Sequence, residues 1–116
     1  MSIERLHKGP RMSQVVKHGD TVYLAGQVAL DAKGAPARDQ TKNILDRVDA
    51  LLAEAGTDKS KLLSATIWLS DMATFNEMNE VWDAWIDPEN PPARACVEST
   101  LAAPDFTVEI GIIAAA

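Results

Sequence analysis

Apolar positions along the chain switch between two spacings, and each spacing predicts an element. In "SQVVKHGDTVYLAGQVAL", Val15 and Val16 precede the polar turn "KHGD", and Val22, Tyr23, Leu24 and Ala25 follow it. Two short runs of this kind around a polar turn predict a hairpin. Gly26, directly after the second run, permits a bulge or a close backbone approach. "LDAKGAPARDQ" reads as a loop, punctuated by Gly34 and Pro36. In "TKNILDRVDALLAEAG", Ile44, Leu45, Val48, Leu51, Leu52 and Ala55 fall at helical spacing, and Gly56 supplies a stop just past the stripe.

The period then returns to two. In "KLLSATIWLSD", Leu63, Ala65, Ile67 and Leu69 alternate with Ser64, Thr66, Trp68 and Ser70, which predicts a strand with one less apolar face. Phe75, Met78, Trp82, Trp85 and Ile86 form a second helical stripe, with Asp71 placed to cap its start and Asn79 at its edge. "PENPP" ends that helix. The closing stretch, from Asn90 to Ala116, reads as two short strands with a turn between them.

The predicted order is β-β-α-β-α-β-β: one α+β domain, residues 1–116, a mixed sheet with two helices on one face. Two helices cover only one face. Along the last strand, Thr107, Glu109, Gly111 and Ile113 oppose Phe106, Val108, Ile110 and Ile112, so the uncovered face is partly apolar. Such a face predicts an oligomer, with sheets packed against one another around a closed axis.

Composition narrows the partners. The formal net charge is −6, and the 11 Lys and Arg are scattered, so a phosphate backbone is a poor partner. One cysteine, Cys96, excludes an internal disulfide; with only His7 and His18 beside it, no standard structural zinc site can be built and no metal is expected. No apolar run approaches the roughly 20 residues that cross a bilayer. The N-terminal residues "MSIERLHKGPRMSQ" lack a signal peptide's apolar stretch, so a cytoplasmic location and no membrane partner are expected.

Two charges stand out in otherwise apolar strands: Arg94 at the mouth of one, Glu109 inside the other. Residues two apart share a strand face, so Arg94, Cys96 and Glu98 point one way and Ala95 and Val97 the other. If the two strands neighbour each other, Arg94 and Glu109 converge near one cleft. A guanidinium fork suits a carboxylate, and a nearby carboxylate suits a water to be activated. The residues alone leave other readings open. Arg94 can be a solvent-facing strand end, Glu109 a polar-face residue or the ion-pair partner of Arg94, and Cys96 a small buried hydrophobe. Trp82 and Trp85 read as core residues.

"PPARACVE", then Pro104, then "VEIGIIA" resembles the closing signature of the RidA/YjgF family, PARxCVE…LP…VEIExIA. "YLAGQV", the first helix, "KLLSATIWLSD" and "FNEMNEVWDAW" fall in the family's order, so the resemblance covers nearly the whole chain. It implies a chorismate-mutase-like fold and a homotrimer with clefts between subunits. The implied activity is cofactor-free hydrolysis of 2-imino and enamine acids, such as 2-aminoacrylate, to 2-keto acids and ammonia. By position, Arg94 matches the arginine that grips the substrate carboxylate, and Glu109 the glutamate that places the attacking water. Cys96, Gly26 and Asn79 match residues that line the cleft. The sequence departs from the pattern where "GPYSQ" is "GPRMSQ" and "SGQ" is "AGQ". Met12 or Arg11 therefore replaces the tyrosine and Ala25 the serine, and Arg11 in the pocket would favour a second anionic group. Two alternatives compete with the deaminase: a carboxylate-binding or sensor trimer with little catalysis, and an endoribonuclease, which the charge opposes.

Overall fold

A computed structural model describes residues 2–116. Its elements are β1 (Ile3–Lys8), β2 (Ser13–His18), β3 (Thr21–Leu24), β4 (Gln27–Val28), α1 (Ala37–Glu54), β5 (Leu62–Leu69), α2 (Phe75–Trp85), β6 (Ala93–Glu98) and β7 (Val108–Ala115). The frame read from the sequence is present, with two strands added. The first, β1, carries Glu4, Arg5, His7 and Lys8 on an exposed edge, where charge discourages further pairing and masks the strand period. The second, β4, has only two residues.

The strand order is β1-β2-β3-β7-β5-β6, with β4 also beside β7. Every pairing is antiparallel except β5 with β6. A parallel pair needs a crossover, and α2 supplies it. The last two strands are therefore not neighbours, because β5 lies between them.

Both helices bury their stripes against one face of the sheet. Ile44, Leu45, Val48 and Leu52 of α1 and Met78 of α2 meet Ile67, Leu69, Val108, Ile110 and Ile112 in one core. Along β7 the side chains alternate strictly between buried and half-buried. The helix α1 starts at Ala37, seven residues before the apolar stripe begins at Ile44, and its first turns escape the pattern because Gln40 and Thr41 are buried polar residues. The Gln40 amide donates to the carbonyls of Ala35 and Asp105, each at 2.9 Å, and accepts from the Thr107 amide. Gly56 ends the helix as expected, at φ +82, with Thr57 N–H bonded to Leu52 C=O and Gly56 N–H to Ala53 C=O.

One inward residue differs from the alternation. A register shift between Leu62 and Ser64 turns Leu62 into the core and leaves Leu63 exposed. From Ala65 onward β5 keeps the expected phase.

The opposite face of the sheet carries no helix. Tyr23, Trp68, Val97 and Ile113 lie on it, and Tyr23 and Val97 stay 44% and 46% exposed. Among the described residues no helix is long and apolar enough to cross a membrane.

Candidate functional site

Strand register decides where the two charges go. Arg94 pairs with Ala65, which pairs with Ile112, so all three face the helices. Glu109 pairs with Trp68, which pairs with Val97, so these face the uncovered side. Arg94 and Glu109 therefore lie on opposite faces of one sheet. The convergence expected within a chain does not occur, and Glu109 is not the ion-pair partner of Arg94.

The Arg94 half is built where edge strand β6 meets α2. The guanidinium Nη1 donates to Asn79 Oδ1 at 2.8 Å. Its carbon lies 5.3 Å from the Trp82 ring centre and 6.0 Å from that of Phe75. Phe75 and Trp82 are two turns apart on α2 and give the planar cation an aromatic seat. Trp82 is thus both a core residue and a platform. No ion pair among the described residues involves Arg94, so the rest of its fork faces solvent unneutralised. Cys96 shares this face and is half-buried. Burial pushes its thiol up, against the opposing pull of the Arg94 charge. A protonated thiol is a pocket wall and a poor nucleophile.

The Glu109 half is built on the middle of the uncovered face. A Cβ placed on Gly26 would stand 2.2 Å from Glu109 Oε2, so only glycine lets the carboxylate settle there. Burial raises the Glu109 pKa, with no neighbouring cation to offset it. The Ala25 amide donates to the Gln14 carbonyl at 2.9 Å, which brings the end of β2 alongside Gly26. The Met12 carbonyl accepts from the Gly9 amide, closing the loop before β2. Met12 is exposed at 57%, and Arg11 is exposed beside it. Arg94, Cys96 and Asn79 therefore form one group, and Glu109 and Gly26, with Ala25 next in the chain, another; Met12 lies on the exposed loop before β2.

Comparison with known proteins places this geometry. The family model described as endoribonuclease L-PSP matches residues 3–116. The chain belongs to the YjgF/RidA family. A RutC family protein from Haemophilus influenzae is 44% identical over 114 residues, covering 98% of each chain. RutC family protein YoaB from Escherichia coli strain K12 is 41% identical over 99% of each. The crystal structure of a YjgF family member from Neisseria meningitidis superposes with a TM-score of 0.96 at 43% identity, covering 99% of this chain and 95% of that one. The α+β architecture is thus shared with solved YjgF structures.

In this YjgF/RidA chain, the seat made by Phe75 and Trp82 and the position of Trp68 beside Glu109 were not singled out from sequence. The alternation of β5 had already put Trp68 on the less apolar face; its relation to Glu109 needed the register.

Gly26→Ala should keep the fold, because the atom displaced is the far end of a flexible side chain and the Gly26 φ is not left-handed. Were Glu109 to act as a catalytic base, moving its carboxylate by about 1 Å would cost on the order of 100-fold in rate. That loss, with a nearly unchanged thermal midpoint, is the expected outcome in parallel activity and melting measurements.

Proposed function

We propose that the chain hydrolyses small 2-imino and enamine acids to 2-keto acids and ammonia, in clefts shared by two copies. The reading rests on one observation: an unneutralised guanidinium and an unneutralised carboxylate sit on different surfaces of the chain. A cleft holding both must take Arg94 from one copy and Glu109 from the next. Two different patches in contact make a heterologous interface, which closes into a ring where the rotation between copies allows it. The uncovered sheet face, with Tyr23 and Val97, offers the apolar surface for it. A homotrimer is the ring that the family resemblance implies.

In this cleft Arg94 holds the substrate carboxylate, with Asn79 and the aromatic seat fixing the fork. The imine carbon then stands toward Glu109 of the neighbouring copy. Glu109 takes a proton from water as the oxygen adds to that carbon. Glu109 passes that proton to nitrogen, giving the carbinolamine; the hydroxyl proton then moves to the amine as the C=O forms and the C–N bond breaks, releasing keto acid and ammonia. No cofactor enters these steps. Binding without turnover at the same cleft is the second reading, favoured by Met12 and Ala25, which supply no hydroxyl. Ribonuclease action is opposed by the −6 charge.

The test generates 2-iminopropionate in situ and follows its disappearance. Turnover should fall as pH drops through the Glu109 pKa, because the base must be ionised, and burial moves that fall upward from where a free glutamate would put it. Glu109→Gln should remove this acid limb together with most of the rate. Keto-acid binding with no acceleration by the wild type would establish the second reading instead.

A further inference from the structure

A separate groove runs on the helix side of the sheet, between the last turns of α1 and the β1–β2 hairpin. His7, Gln14, Arg47, Ala50, Leu51 and Glu54 line about 240 Å³. Arg47, Ala50, Leu51 and Glu54 recur at i, i+3, i+4 and i+7, so they form one stripe of the helix. His7 lies between the paired positions Leu6–Val15 and Lys8–Ser13 and adopts φ +56, the left-handed region that is uncommon outside glycine. Its imidazole Nε2 is bonded to the Glu54 carboxylate.

The charges in the groove are unevenly matched. Glu54 has His7. Arg47 is half-buried, yet none of the ion pairs among the described residues includes it. Its Nε donates to Gln27 Oε1 at 3.3 Å. Gln27 is itself held, its amide donating to Gln14 Oε1 and the Ala25 carbonyl, each at 2.9 Å. The guanidinium is therefore oriented by an amide chain, while its terminal nitrogens have no acceptor among the described residues.

We propose that this groove binds a short aliphatic carboxylate, its head on Arg47, its hydrocarbon on Ala50 and Leu51, and its far end against the His7–Glu54 pair. A planar fork takes a carboxylate bidentately. One arginine with a glutamate nearby suits a single negative charge better than a phosphate dianion. The volume is below the range for drug-sized ligands, which calls for a small molecule. The site shares no residue with the Arg94 and Glu109 clefts, so its fate is independent of imine hydrolysis.

Nuclear magnetic resonance titration of the wild-type protein with butyrate, and with the neutral isostere butyramide, tests the proposal. Butyrate should shift the side-chain amides of Gln14 and Gln27 saturably, and butyramide should not. Arg47→Gln should weaken butyrate at this site by about tenfold or more, as expected for loss of a charge-assisted hydrogen bond, and Arg94→Ala should leave it in place. The proposal is overturned if butyrate leaves both amides unmoved, if butyramide shifts them equally, or if Arg47→Gln titrates like the wild type. The comparison of the two ligands on the wild type decides the matter even where the variant fails to fold.

Discussion

Arg94→Ala should lower kcat/KM for 2-iminopropionate by about 100-fold to 1,000-fold, the scale of losing two charge-assisted hydrogen bonds to a substrate carboxylate. The same change should barely alter stability. Arg94 is exposed, and its contacts within the chain are one hydrogen bond to Asn79 and an aromatic seat. A cation–ring contact at a solvent-exposed site, as for the Arg94 guanidinium, is worth about 0.5–1 kcal/mol. Added guanidinium chloride at low concentration should restore part of the rate by refilling the seat on Trp82. Arg94→Lys should recover less than half of the loss, because a point charge cannot reproduce the planar fork. Steady-state kinetics beside thermal melting separate these effects, and an Arg94→Ala protein as fast as the wild type sinks the assignment.

The second large effect comes from mixing variants. Arg94→Ala and Glu109→Gln proteins should each be inactive alone. Assembled together by co-expression, they should recover activity if, as proposed, each cleft takes one of its charges from each of two copies. In a random equal mixture of ring-forming protomers, about a quarter of the clefts join an intact Arg94 to an intact Glu109. The doubly substituted chain mixed with wild type supplies the control. If the mixed variants stay inactive while forming the same oligomer, the shared cleft is wrong, whatever the single variants show.

Much of the fold was legible because its signals are local. The alternation of Phe106 to Ile113 and the stripe from Ile44 to Ala55 are patterns that burial imposes on neighbouring residues. Three things were not local. The strand at Ile3–Lys8 is an exposed edge, where no core demands alternation. The buried polar residues Gln40 and Thr41 hide the first turn of α1: Gln40 answers a carbonyl 65 positions away at Asp105, and Thr41 donates to the Ala37 carbonyl of its own helix. Leu62 and Leu63 exchange places at a bulge that neither residue announces.

The candidate site divides the same way. Parity within a strand was readable: Arg94 with Cys96, apart from Ala95. The phase of one strand against another was not. It depends on pairing Arg94 to Ala65 and Glu109 to Trp68, and a shift of one residue would put both charges on one face. Gly26 was visible as a place of close approach. That the approaching group is Glu109 became visible only once β4 was seated beside β7.

The placement of Arg94 over Trp82, and of Glu109 beside Trp68, gives each half of the cleft its own indole. In the proposed cleft, one chromophore would sense an anion arriving at the guanidinium, and the other a neighbouring copy closing over the carboxylate. Intrinsic fluorescence is then expected to carry two messages, ligand arrival and subunit docking. With Trp85 silenced, each could be read without any attached dye.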